Sequence, residues 1–113
     1  MATSPPTREQ FTSLLGEEIA RIRSPNRRAF IEGILIDPYT STLKWEYGSN
    51  EEFVAWTFGD LNERDVVARY CLGGFGALGS PWGINFRSDD HFGQDCGWYR
   101  SLDALAADWG IAE

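Results

Sequence analysis

The sequence predicts an α+β domain: a twisted antiparallel sheet of four to six strands, with an N-terminal helix and a short C-terminal helix packed on it. Three observations predict it. Phe11, Leu14, Leu15, Ile19 and Ile22 recur at helical spacing near the start, and Leu102, Leu105, Ala106 and Trp109 do so near the end. Between them, short β-branched and aromatic runs are separated by Gly, Pro, Asn, Asp and Ser. The 113 residues fit a single domain over 1–113, and seven Phe, five Trp and four Tyr give it a core that needs no staples.

Thr7-Arg8-Glu9-Gln10 reads as a capping box, with Thr7 as N-cap and Gln10 reaching back. The helix is predicted over 7–23. Gly16 weakens it by up to about 1 kcal/mol relative to Ala. Glu17 and Glu18 stand four and three residues before Arg21, the spacing of helical ion pairs. Ser24-Pro25-Asn26 reads as its end, because the residue before Pro avoids the α region. Phe30 to Ile36 is apolar and β-branched, which predicts a buried strand. Asp37-Pro38-Tyr39-Thr40-Ser41 is turn chemistry. Leu43 to Tyr47 alternates and predicts a strand with one wet face; Gly48-Ser49-Asn50 turns the chain; Glu52 to Phe58 is a third strand. These three read as an antiparallel meander.

For 62–72 two readings stay open. One is a short helix capped by Asp60 or Asn62 and closed by Gly73; the other is a fourth strand through Val66 to Leu72. Residues 73–83 form a glycine-rich loop. Trp82, Ile84 and Phe86 alternate as a half-buried strand, Ser88 to Gln94 is a polar turn, and Gly97-Trp98-Tyr99 is a short last strand. Ser101 caps a helix over 101–109, closed by Gly110.

The net charge of −7 is unevenly placed. Residues 1–29 carry five arginines against three glutamates, +2; the remainder carries five bases against fourteen acids, −9. Such a body repels nucleic acid and anionic lipid and attracts a basic surface. No apolar run approaches the length of a membrane span. The opening residues Met-Ala-Thr-Ser-Pro-Pro-Thr-Arg form no apolar signal core, so the expected compartment is the cytosol. Cys71 and Cys96 are too few for a disulfide scaffold and read as free, partly buried thiols.

Gly74-Phe75-Gly76-Ala77-Leu78-Gly79 matches the dinucleotide fingerprint by letter. That motif works by opening a helix whose amides hold pyrophosphate, and Pro81 and Gly83 oppose a helix here. Cys96 follows His91 by five residues, the ingredients of a thiol nucleophile and its base. Cell-wall peptidases place the cysteine at a helix start with the histidine far downstream; here the order is reversed. Asp89, Asp90, His91 and Asp95 have carboxylate chemistry suited to Mg or Ca without calcium-loop spacing. No metal or cofactor is therefore assigned. Acids cluster at 51–52, 60–65 and 89–95, all in expected loops. Gathered at one edge of the sheet, they make a carboxylate surface bordered by aromatics.

Tyr70-Cys71-Leu72-Gly73-Gly74-Phe75-Gly76, Ser80-Pro81-Trp82-Gly83-Ile84-Asn85-Phe86 and Gly93-Gln94-Asp95-Cys96-Gly97-Trp98-Tyr99-Arg100-Ser101-Leu102 make the chain resemble the small acidic immunity proteins of bacterial polymorphic-toxin and contact-dependent growth inhibition systems. The resemblance implies a cytosolic protein that binds a cognate toxin domain, often a nuclease, and blocks it without chemistry. It fixes no functional residue. The residues themselves nominate Asp60, Glu63, Asp65, Asp89, Asp90 and Asp95 for charge, and Trp56 or Tyr39 as an apolar anchor. The alternatives are a small thiol enzyme using Cys96 and His91, or a small-ligand module at the glycine loop.

Overall fold

The computed structural model describes residues 5–45, 51–61, 65–88 and 97–113. Helix α1 spans Arg8–Ala20. The Thr7 hydroxyl accepts the Gln10 N–H at 3.2 Å, and the Gln10 side chain accepts the Thr7 N–H at 2.9 Å, so the expected capping box forms. The Arg28 guanidinium donates to Ala20 O and Ile22 O, placing a cation at the carbonyl end of α1.

Ser24-Pro25 starts a helix as well as following one. Helix α2 covers Pro25–Ile34, with the Ser24 hydroxyl accepting the Arg27 N–H at 3.3 Å and Pro25 in the first turn. Proline is at home there because its missing N–H has no helical partner anyway. The predicted strand at Phe30 to Ile36 is thus mostly helix, burying Ile31 and Ile34 at i,i+3 spacing. Strand β1, Leu35–Lys44, then absorbs the predicted turn at 37–41. It lies at the sheet edge, and its register with β2 (Glu52–Asp60) shifts between Leu35 and Tyr39, where Pro38 sits. An edge strand with a register shift accommodates proline because no ladder hydrogen bond is lost. The expected three-strand meander is one hairpin at this point.

Strand β3, Val66–Tyr70, decides the open reading of 62–72 in favour of a strand. A 3-10 turn at Gly74–Leu78 leads to β4, Trp82–Phe86, and β5, Gly97–Tyr99. Helix α3, Leu102–Asp108, begins where the Ser101 hydroxyl accepts the Ala104 N–H at 3.1 Å and ends at Gly110, whose φ is 97°. The fold is α+β: one five-stranded antiparallel sheet in the order β1-β2-β3-β4-β5, with a helix near each end of the chain and a second helix after the first.

The helices cover one face. Phe11 of α1 is fully buried there, its ring 5.5 Å from Trp56, 5.8 Å from Phe58 and 5.5 Å from Tyr70. On the other face, Leu43, Ala55 and Cys71 pack with Trp45, Phe53, Phe75 and Trp98. No helix among the described residues is long and apolar enough to cross a membrane.

Candidate functional site

The register fixes which loops share an end of the sheet. Leu35 pairs with Gly59, Asp60 with Val67, and Val66 with Phe86. The β2–β3 and β4–β5 connections therefore leave from the same end. Asp60 is the last residue of β2, Asp65 immediately precedes β3, and Arg87 immediately follows β4. The Arg87 guanidinium lies 2.9 Å from Asp60 Oδ2 and 3.3 Å from Asp65 Oδ1, and its backbone N–H donates to Asp65 O at 2.7 Å. Asp65 takes φ 66°, a left-handed conformation that aspartate tolerates better than most residues. One arginine shared by two carboxylates leaves the trio with one net negative charge.

Glu63, Asp89, Asp90 and Asp95 lie outside the described residues. In sequence, 60–65 and 87–96 together carry six acids against Arg64 and Arg87, a balance of −4. The third predicted acid cluster does not join them. Glu52 pairs with Lys44 at the far end of β2, so Glu51 and Glu52 belong to the opposite end of the sheet.

Apolar surface accompanies Asp60 and Asp65. Leu35 is 39% exposed and Phe86 41%, both at this end by register, and Tyr39 is 38% exposed further along the β1 edge. Phe86 has the alternation of a core residue with Trp82 and Ile84, which is why sequence pattern alone does not single it out. Its position at the end of β4 leaves it open. Trp56 is a different matter. It is buried at 6% exposure, stacked on Phe11 with a 3° interplanar angle, and its indole N–H donates to Pro6 O at 2.9 Å. Trp56 is a core residue and not a surface anchor, because α1 lands on the face of β2 that carries it.

Arg69 was not singled out by sequence either. It is 1% exposed on the face away from the helices, donating from Nε to Thr57 Oγ1 at 3.1 Å and from Nη2 to Arg87 O at 3.0 Å. A buried guanidinium is tolerated only where acceptors meet its donors. Here it ties the Arg87 backbone to β2 and β3.

The glycine loop serves packing. A Cβ on Gly76 would stand 1.9 Å from Cys71 O, and one on Gly73 would stand 2.1 Å from the Phe53 ring. The close approach seats Phe75 at 5.1 Å from Trp45 and 6.2 Å from Trp98. The chain after Gly79 enters β4 rather than a helix, so the fingerprint letters present no helix N-terminus to a pyrophosphate. Cys71 is 1% exposed, and burial pushes its thiol up to about 11, against a weaker opposing pull from the Gly73 backbone. It is a protonated packing residue at neutral pH. Cys96 and His91 lie outside the described residues. Among the described residues no group of three or more His, Cys, Asp or Glu gathers for a metal.

No family model, curated protein or solved structure matches the chain.

Proposed function

We propose that this chain is an immunity-type inhibitor that binds a basic toxin domain stoichiometrically through the Asp60/Asp65 end of its sheet. The observation that supports this reading is the joint placement, by strand register, of Asp60 and Asp65 beside exposed Leu35 and Phe86. Apolar anchors ringed by charge are what a tight interface needs at its centre and rim. The carboxylates draw in a cationic domain and set its approach. Leu35, Phe86 and Tyr39 then lose water against it and slow its departure. A toxin whose own cleft is built to hold nucleic acid meets an acidic surface where it would meet phosphates. Glu63, Asp89, Asp90 and Asp95 belong in sequence to the same two connections and add to that charge. Inhibition is by occlusion, with no bond made or broken.

The test is reconstitution with a purified basic toxin domain, sought first in the reading frames neighbouring the one that encodes this chain. The expected result is a 1:1 complex in which toxin activity is lost, weakened at least tenfold by Phe86→Ala combined with Asp60→Ala. Failure to form a complex, or a complex unaffected by those substitutions, contradicts the reading.

A further inference from the structure

On the helical layer, a groove of about 750 Å³ opens where the α1–α2 link faces the start of α3. That volume is in the range of small-molecule sites. Exposed Pro25 gives it an apolar edge over the buried Ile22, and four arginines, 21, 23, 27 and 100, reach it against three acids.

The acids are already engaged. Glu18 Oε1 stands 3.5 Å from Arg21 Nη1, and its Oε2 accepts the Leu102 N–H at 3.0 Å, stabilising the start of α3. Asp103 and Glu113 lie 3.4 and 3.5 Å from Arg27 Nη1, while Arg27 Nε donates to Ile111 O at 2.9 Å. Arg23 and Arg100 are exposed and have no ion-pair or hydrogen-bond partner among the described residues. Each directly precedes an N-cap serine, Ser24 or Ser101, whose hydroxyl is used by its own helix. Both arginines thus extend from backbone fixed by a capped helix start, and both line the one groove.

We propose that this groove binds an organic phosphate, with Arg23 and Arg100 holding the phosphate and Pro25 meeting its organic body. Two guanidinium forks match the charge and the paired oxygens of a phosphate dianion. The site is separate from the toxin-binding surface proposed above. Arg100 follows the last residue of β5, whereas the acid-bearing connection enters β5 at Gly97, so the two lie at opposite ends of that strand. Neither depends on the other.

The experiment is calorimetry and thermal melting of the full chain with ADP and with inorganic phosphate, at constant ionic strength. ADP is expected to bind and raise the melting temperature. Arg23→Ala with Arg100→Ala weakens binding at least tenfold, whereas Arg8→Ala, outside the groove, leaves it unchanged. Arg100→Glu, on an exposed position, abolishes binding and serves if the double variant folds poorly. No binding of either probe, or equal binding in the Arg23/Arg100 variants, overturns the proposal. Inorganic phosphate binding as tightly as ADP overturns the role given to Pro25.

Discussion

Replacing Phe11 by alanine tests how the helical layer is held to the sheet. The side chain is 0% exposed and its ring touches Trp56, Phe58 and Tyr70, three residues on two neighbouring strands. Alanine removes the ring and leaves a cavity that the sheet backbone cannot close, because β2 and β3 are held by ladders on both sides. Buried Phe→Ala changes cost about 3–5 kcal/mol. At about 0.05–0.15 kcal/mol per residue, 113 residues give a total of about 6–17 kcal/mol, so the variant loses a large share of its stability. Urea unfolding followed by tryptophan fluorescence reads this directly, since Trp56 stacks on the deleted ring. The expected result is a lower midpoint at unchanged slope. A loss under about 1.5 kcal/mol at unchanged slope, well below the usual range for such a site, refutes this packing.

Two glycines are expected to respond in opposite directions. Gly16→Ala meets nothing within 4 Å on a helix and is expected to stabilise by about 0.5–1 kcal/mol, whereas Gly76→Ala, driven against Cys71 O, destabilises by about 1–3 kcal/mol or more; thermal melts of the two variants check both signs. The Cys71 thiol, raised from 9.0 to about 11, ionises about 100-fold less below pH 9 than an unperturbed thiol. In a Cys96→Ser background its alkylation at pH 8 is therefore slower than that of free cysteine by at least that factor, and an equal rate contradicts the burial. Its linkage has a defined sign: the native state favours the protonated thiol, so this contribution to stability is full below pH 9 and is lost as pH rises through about 11. A Cys71→Ala variant flattens that alkaline fall.

Helices α1 and α3 were legible because capping and periodicity agree locally. Thr7 with Gln10 and Ser101 before Leu102 carry the signal without help from distant residues. Residues 24–44 were not, because the same letters serve two roles. Ser-Pro stops a helix or starts one, and the choice rests on whether Ile31 and Ile34 find a core beneath them. Asp37-Pro38 turns a chain in isolation but sits in β1 because that strand is an edge with a register shift. At the candidate site, the loop position of Asp65 was readable from composition, whereas Asp60, expected in the same loop, is the last residue of β2 and pairs with Val67. Their convergence on Arg87, and the separation of Glu51 and Glu52 to the other end, required the strand order. Trp56 and Phe86 exchange the roles their patterns suggest: α1 covers the first, and the second stands where β4 runs out.

In the proposed mode of binding, negative charge at the Asp60/Asp65 end speeds capture of a basic toxin domain. Its most direct test is the association rate of Asp60→Lys/Asp65→Asn against the parent, measured by stopped flow across salt. Asparagine tolerates the left-handed backbone at 65, and surface ion pairs such as Asp65 with Arg87 contribute only about 0–1 kcal/mol; a melting curve of the variant, run beside the rates, checks that the fold persists. The substitutions change the local balance from −4 to −1. The association rate is expected to be at least tenfold lower near 0.01 M salt, where the screening length is about 30 Å, and to converge on the parent at 1 M, where it is about 3 Å. Equal rates for the two proteins at low salt contradict it.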